Sequence, residues 1–152
     1  MKKLFAYKDM VSTVGGLLGG VIMAAFGGWS EGLTTLVILL VMDYLTGLVV
    51  AGLFQASKKT ESGGLGSKAG WKGLARKALT LALVVALHRV DVAFGIDYLM
   101  NAAIVGFALN ELISLVENAG LMGLPMPKAI TKAIDVLTAK ADEPEKTDLA
   151  DD

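Results

Sequence analysis

The sequence predicts an all-α membrane protein with about four transmembrane helices, arranged as two hairpins, followed by a C-terminal amphipathic helix. Its composition is the first observation: 54% of the residues are hydrophobic, 19% are charged and the mean hydropathy is +0.60. Soluble domains are less apolar and carry more charge. The second observation is that the hydrophobic residues form long blocks with the charges between them, a pattern typical of membrane spans.

Four apolar blocks approach the roughly 20 residues needed to cross a bilayer. They cover residues 11–28, 33–54, 74–94 and 98–116. Short connections at 29–32 and 95–97 pair the blocks into hairpins, and a polar loop at 55–73, rich in Gly and Lys, joins the hairpins. The segment "HRVD" at 88–91 interrupts the third block. Three spans, with the first or the third block not crossing, are therefore the alternative.

Lysine and arginine predict the orientation, because they accumulate on the cytoplasmic side of short loops. All of the 14 basic residues except Arg89 lie in the N-terminus, the central loop region or the C-terminal part. Four spans put these regions on one side, which makes residues 1–10 a cytoplasmic N-terminus and leaves both termini in the cytoplasm. The basic residues of the central loop region are expected to meet anionic lipid headgroups; they are Lys58, Lys59, Lys68, Lys72, Arg76 and Lys77.

The first block is unusually rich in glycine. Small residues recur every four positions on one helical face, which neighbouring glycines widen; the set is Gly15, Gly16, Gly19, Gly20, Ala24 and Gly28. In lipid, helices associate through close backbone approach, which such a face permits. We expect it to pack either inside its own chain or against neighbouring chains. A signal peptide cleaved near residues 25–27 is a further alternative for this block.

Several polar residues lie within the other blocks. An isolated carboxylate at Asp43, in the middle of the second block, would cost roughly 2.5 to 3.5 kcal/mol in lipid, and Arg89 is its expected partner. Two interpretations stay open: an ion pair that fixes hairpin packing, or groups that line water in an oligomeric hole. The candidate set is Asp43, Thr46, Arg89, Asp91, Asn110 and Glu111.

The C-terminal part contains a chain break, "GLPMPK", at 123–128. In residues 128–140, Ile130, Ala133, Ile134 and Leu137 share one face. Region 117–140 is therefore expected to carry an amphipathic helix that lies on the inner membrane surface or packs against a partner. The acidic tail at 141–152 is expected to be disordered.

Enzymatic function classes find little support. The chain has no cysteine and one histidine, too few for a Cys/His zinc cluster, and no serine lies in a nucleophile elbow. "GLGSKA" at 64–69 fits a dinucleotide-binding pattern formally, but no strand precedes it. We therefore expect no catalytic residue, cofactor or metal site, and no nucleic-acid partner.

Residues 33–140 resemble the phage holins of the toxin-secretion and phage-lysis type. The resemblance is carried by the order and spacing of "DYLTG" (43–47), a serine-containing basic loop, "GWKGLARKA" (70–78), the intramembrane Val90 and Asp91, "NELISLVEN" (110–118) and "GLPMPK". Many descriptions of that family give three spans, so the glycine-rich first block is a departure from it or an addition to it.

The resemblance implies a small protein of the bacterial cytoplasmic membrane that oligomerises with its own copies and forms large holes. Such holes release an endolysin or a toxin, which need not bind the holin, and residues 11–116 would be the hole-forming domain. The resemblance also raises a second translation start at Met10, because holins often start at two codons. The shorter form would lack Lys2, Lys3, Lys8 and Asp9. The main alternative is an antiholin or a non-pore scaffold that binds partner helices. A small transporter is a weaker one, because no inverted repeat is apparent.

Overall fold

The computed structural model describes the backbone of residues 2–142 and the side chains of residues 7–140. The helices are α1 (Lys2–Ala25), α2 (Glu31–Val49), α3 (Ser67–Phe94), α4 (Leu99–Leu121) and α5 (Lys128–Asp142), and a π-helical turn (Val50–Phe54) extends α2. Among the described residues there is no strand. The all-α fold class is therefore confirmed. The predicted disordered tail at 141–152 lies outside the described residues beyond 142.

Three helices of the described residues are long and apolar enough to cross a membrane: Tyr7–Ala25, Glu31–Phe54 and Leu99–Leu121. These correspond to the first, second and fourth predicted spans. Helix α3 has 28 residues, which is long enough, but it carries charged residues near both ends. The choice between three and four spans stays a prediction.

The core lies where α2, α3 and α4 meet. Leu33, Leu36 and Leu40 project from one face of α2, because positions three, four and seven apart lie on the same side of a helix. They pack with Val84 of α3 and Ile104 of α4. This contact holds the three helices together as one bundle.

The connection between α2 and α3 is shorter than predicted. It covers residues 55–66 rather than 55–73, because α3 begins at Ser67. The sequence "GSKAGWKG" has the composition of a loop, but Gly70 lies next to the Tyr44 hydroxyl of α2 and Gly73 next to the Tyr44 ring. Packing against α2 therefore outweighs the weak helix propensity of the two glycines.

Helix α1 lies largely apart from this bundle. Every described side chain from Tyr7 to Leu18 is exposed. Contact with the core is made beyond the C-terminal end of α1, where Phe26 packs against the α2–α3–α4 cluster. The bundle therefore contributes little to positioning the apolar length of α1.

The turn after α1 depends on two glycines in the left-handed region. Gly27 has φ +68° and Gly28 has φ +112°, and a β-carbon at Gly27 would collide with the His88 imidazole. Because α1 ends at Ala25, Gly28 does not share a helical face with Gly20 and Ala24. That part of the predicted glycine face is wrong.

Helix α5 has almost the predicted bounds. Ile134 is the buried member of its apolar face, at 8% exposure, while Ile130 and Leu137 remain 42% and 46% exposed. The helix packs against α4. Much of this apolar face is thus exposed among the described residues, and its predicted place on the membrane surface stays a prediction.

Candidate functional site

A buried charge cluster joins the three bundle helices. The Lys77 ammonium of α3 lies 2.7 Å from the Asp43 Oδ2 atom of α2 and 2.5 Å from the Glu111 Oε2 atom of α4. The three side chains are only 8 to 13% exposed. One lysine therefore ties two carboxylates from two other helices.

Asn118 lies two turns after Glu111 on α4 and adds hydrogen bonds to the cluster. Its amide Nδ2 donates to Asp43 Oδ1 and to Thr46 Oγ1, both at 3.0 Å. The Thr46 hydroxyl in turn donates to the backbone carbonyl of Met42 at 2.9 Å. Within the part of the chain that the structure describes, no buried side-chain nitrogen or oxygen lacks a hydrogen-bond partner.

The cluster carries a formal charge of −1 when all three groups are ionised, since two carboxylates face one ammonium. Buried ion pairs gain little over well-packed apolar residues, but removing one partner strands the other charge and costs about 3 to 5 kcal/mol. The three charges can pair only when α2, α3 and α4 have the axial positions seen here, so the cluster favours this arrangement of the helices.

The prediction that Arg89 pairs with Asp43 is wrong, because the partner of Asp43 is Lys77. Arg89 has an exposed side chain and lies 12 residues after Lys77 on α3, about 18 Å along the helix axis. Because α3 begins at Ser67, earlier than the predicted block, the middle of the helix shifts toward Lys77. Lys77 is accordingly largely buried, and its prediction as a membrane-surface residue was also wrong.

The remaining polar candidates, Asp91 and Asn110, are not part of the charge cluster. Asp91 is 4% exposed, and its carboxylate accepts hydrogen bonds from the Leu99 amide at 3.1 Å and the Met100 amide at 2.8 Å. It thus caps the N-terminus of α4, where backbone donors lack helical partners. Asn110 is exposed and lies beside the cluster without a hydrogen bond to it.

The other basic candidates are all exposed: Lys58, Lys59, Lys68, Lys72 and Arg76. Their predicted contact with lipid headgroups is compatible with this exposure and stays a prediction.

The small-residue face of α1 is open. No atom lies within 4 Å of the position that a β-carbon would take at Gly15, Gly16, Gly19 or Gly20. The described residues therefore leave this face without a partner inside the chain. Its assignment as an oligomerisation face stays a prediction.

Asn118 and the true role of Lys77 were missed from the sequence. Asn118 follows Glu111 by seven residues, so both lie on one face of α4, and Thr46 follows Asp43 by three residues, which also puts that pair on one face of α2. A search for polar residues at helical spacing would have found these two pairs. It would not have found Lys77, because sequence alone does not give the register of α3.

The comparisons with known proteins identify the family. Residues 20–139 match the model of the bacteriophage holin family. The chain belongs to this family. The resemblance drawn from the sequence motifs is thereby confirmed, and the matched region contains the whole charge cluster.

Relatives of this holin-family chain occur in bacteria and in a phage. It is 38% identical over 133 residues to an uncharacterized protein of Halalkalibacterium halodurans, covering 84% of this chain and 91% of the relative. It is 36% identical over 132 residues to an uncharacterized protein of Listeria innocua, covering 86% and 89%. It is also 28% identical over 120 residues to a probable holin of Bacillus phage phi105, covering 78% and 82%. No solved structure matches the chain.

Family membership and the apolar helices make this a membrane protein, and holins are not enzymes. In the described residues, no group of three His, Cys, Asp or Glu side chains is arranged to hold a metal ion. The features that bear on function are therefore the charge cluster, the open face of α1 and the basic surface near the start of α3.

Proposed function

We propose that this holin-family protein oligomerises in the bacterial cytoplasmic membrane and forms large holes that release an endolysin or a toxin, and so times host cell lysis. The observation that carries the proposal is helix α1: it is apolar, it is long enough to span, and its glycine face has no contact with another helix among the described residues.

Association in lipid explains why that face matters. Lipid tails are as apolar as the helices, so no hydrophobic drive brings the helices together, and close backbone packing has to supply the attraction. Gly16 and Gly20, one turn apart, provide a surface on which a second helix approaches closely. The partner we propose is another copy of the same chain.

The charge cluster explains how single chains are tolerated before assembly. Asp43, Lys77 and Glu111 satisfy one another inside the bundle, so the unassembled protein presents none of these charges to lipid. In an assembled hole, the same groups gain access to water, which lowers the cost of separating them. The proposed lumen therefore includes the α2–α3–α4 junction.

Release through a hole needs no docking site for the cargo. An endolysin or toxin made in the cytoplasm passes once the opening is wide enough. The same proposal places both termini in the cytoplasm, because the N-terminus, the central loop region and the C-terminal part carry the basic residues and such regions favour the cytoplasmic side.

An antiholin or a non-pore scaffold is the second candidate. The feature that favours it is that every buried side-chain nitrogen and oxygen of the described residues has a hydrogen-bond partner, since a bundle without unpaired buried groups needs no assembly to satisfy them. In that case the glycine face would bind the span of a different holin.

Expression with and without a cytoplasmic muralytic enzyme tests the proposal. A hole-forming protein gives rapid loss of culture density only when the enzyme is present, after a fixed delay. An antiholin or scaffold gives continued growth in both cultures, and it delays lysis when an active holin is co-expressed.

A further inference from the structure

A cavity of about 590 Å³ opens beside the charge cluster at the α2–α3–α4 junction, and a ligand for it is not part of the function proposed above. It is lined by α2, the π-helical turn, α3, α4 and the connection at 55–66. The Asp43, Lys77 and Glu111 side chains form its inner end, and Lys58 and Lys59 of the connection also line it.

The α3 wall of the cavity changes from basic to apolar along the helix. Toward the N-terminal end of α3 the wall is formed by Lys72 and Arg76, which are one turn apart. Toward the middle of α3 it is formed by Leu79 and Leu83. From Lys72 to Leu83 the helix rises about 16 Å. The wall therefore has the polarity of an amphiphile: a charged part at one end and an apolar part at the other.

The charges at the basic end have no partners among the described side chains. Salt bridges within residues 7–140 all involve Lys77, which already holds Asp43 and Glu111. Glu117 is the remaining acidic residue of the lining, against four basic side chains: Lys58, Lys59, Lys72 and Arg76. This end therefore presents a net positive charge that an anion would balance.

We propose that this cavity binds the phosphate headgroup of an anionic phospholipid from the cytoplasmic leaflet. Lys58, Lys59, Lys72 and Arg76 would hold the phosphate, and an acyl chain would lie along Leu79 and Leu83. Basic pockets between membrane helices on the cytoplasmic side suit such headgroups. A free phosphate ion would use the charges but leave the apolar wall exposed, so the lining favours the lipid.

Binding to the purified full-length protein in detergent tests the inference without any hole being formed. The probes are phosphatidylglycerol with short acyl chains, phosphatidylcholine of the same length, and inorganic phosphate. The wild-type protein is expected to bind phosphatidylglycerol more tightly than either other probe. The variant Lys72→Gln/Arg76→Gln should weaken that binding about 25-fold, at about fivefold for each basic residue near an anionic surface.

A matched control separates the cavity from general surface charge. Lys132→Gln/Lys140→Gln removes the same charge from two exposed lysines outside the lining and should leave the affinity within about threefold of wild type. If Lys72→Gln/Arg76→Gln is not folded by circular dichroism, Lys58→Gln/Lys59→Gln in the connection replaces it.

Three outcomes would overturn the inference. Equal binding of phosphatidylglycerol and phosphatidylcholine removes the need for an anion. Equal weakening by the control variant shows that the bulk charge of the protein attracts the lipid. Inorganic phosphate that binds as tightly as the lipid makes the cavity a phosphate site. Each result leaves the hole-forming proposal unaffected, because that proposal is tested by lysis.

Discussion

Replacing Lys77 with methionine should destabilise the bundle strongly. At 2.7 Å and 2.5 Å from the two carboxylates, the ammonium attracts each by about 6 kcal/mol at an effective dielectric constant of about 20. Burying the ions costs several kcal/mol each, which cancels much of that attraction. The net loss expected on removing the one cation is about 3 to 5 kcal/mol, because Asp43 and Glu111 are left buried and facing each other.

Unfolding of the purified protein by a denaturing detergent, followed by circular dichroism, measures this loss. Lys68→Met is the matched control, since Lys68 is exposed on the same helix, and it should change the free energy of unfolding by less than about 0.5 kcal/mol. The triple variant Asp43→Asn/Lys77→Met/Glu111→Gln removes all three charges and should recover most of the stability. A Lys77→Met variant as stable as the control would refute the role given to the cluster.

Three further changes test other parts of the structure. Asp91→Ala removes the cap of α4 and should cost about 0.5 to 2 kcal/mol in the same unfolding assay; a change near zero would contradict capping. Gly20→Leu should abolish cross-linked oligomers without changing monomer stability, because a β-carbon at Gly20 would have no described atom beyond its own local helix within 4 Å, whereas Val14→Leu on the opposite face should leave the oligomers intact. Gly27→Ala should make the α1–α2 turn more sensitive to protease, since φ is +68° there and a β-carbon meets His88; unchanged cleavage would show that the turn is not constrained.

The helices that the sequence predicted best are those whose ends carry local signals. Helix α2 follows Ser30, whose hydroxyl oxygen accepts the Leu33 amide at 3.1 Å, an ordinary N-cap arrangement. Helix α5 follows a proline-containing break and keeps one apolar face. In both cases the chain itself contains the information that fixes the boundary.

The errors arose where one helix determines the structure of another. Helix α3 starts at Ser67, and its Gly70 and Gly73 lie next to the Tyr44 side chain of α2, a contact between helices that no local pattern shows. The pairing of Asp43 with Lys77 rather than Arg89 depends on the axial register between α2 and α3 in the same way. Sequence indicated that a buried carboxylate needs a cation, but it did not indicate which turn of the next helix supplies it.

The glycine face of α1 was predicted in part: its spacing was readable from the sequence, but its C-terminal end was not. The four-residue spacing of Gly16, Gly20 and Ala24 was readable from the sequence, and the structure places them on one helix. The loss of Gly28 from this face follows from the positive φ angles after Ala25. A run of glycines is compatible with either a helix or a turn, and here the helix ends at Ala25, before Gly27 and Gly28 take positive φ angles.

The most direct test of hole formation is membrane potential, followed with a voltage-sensitive dye in the culture that also expresses a cytoplasmic muralytic enzyme. The proposal predicts an abrupt collapse of the potential at a set time, with the density falling immediately afterwards and the enzyme appearing outside the cells. A steady potential and continued growth, with the protein verified in the membrane fraction, would contradict it.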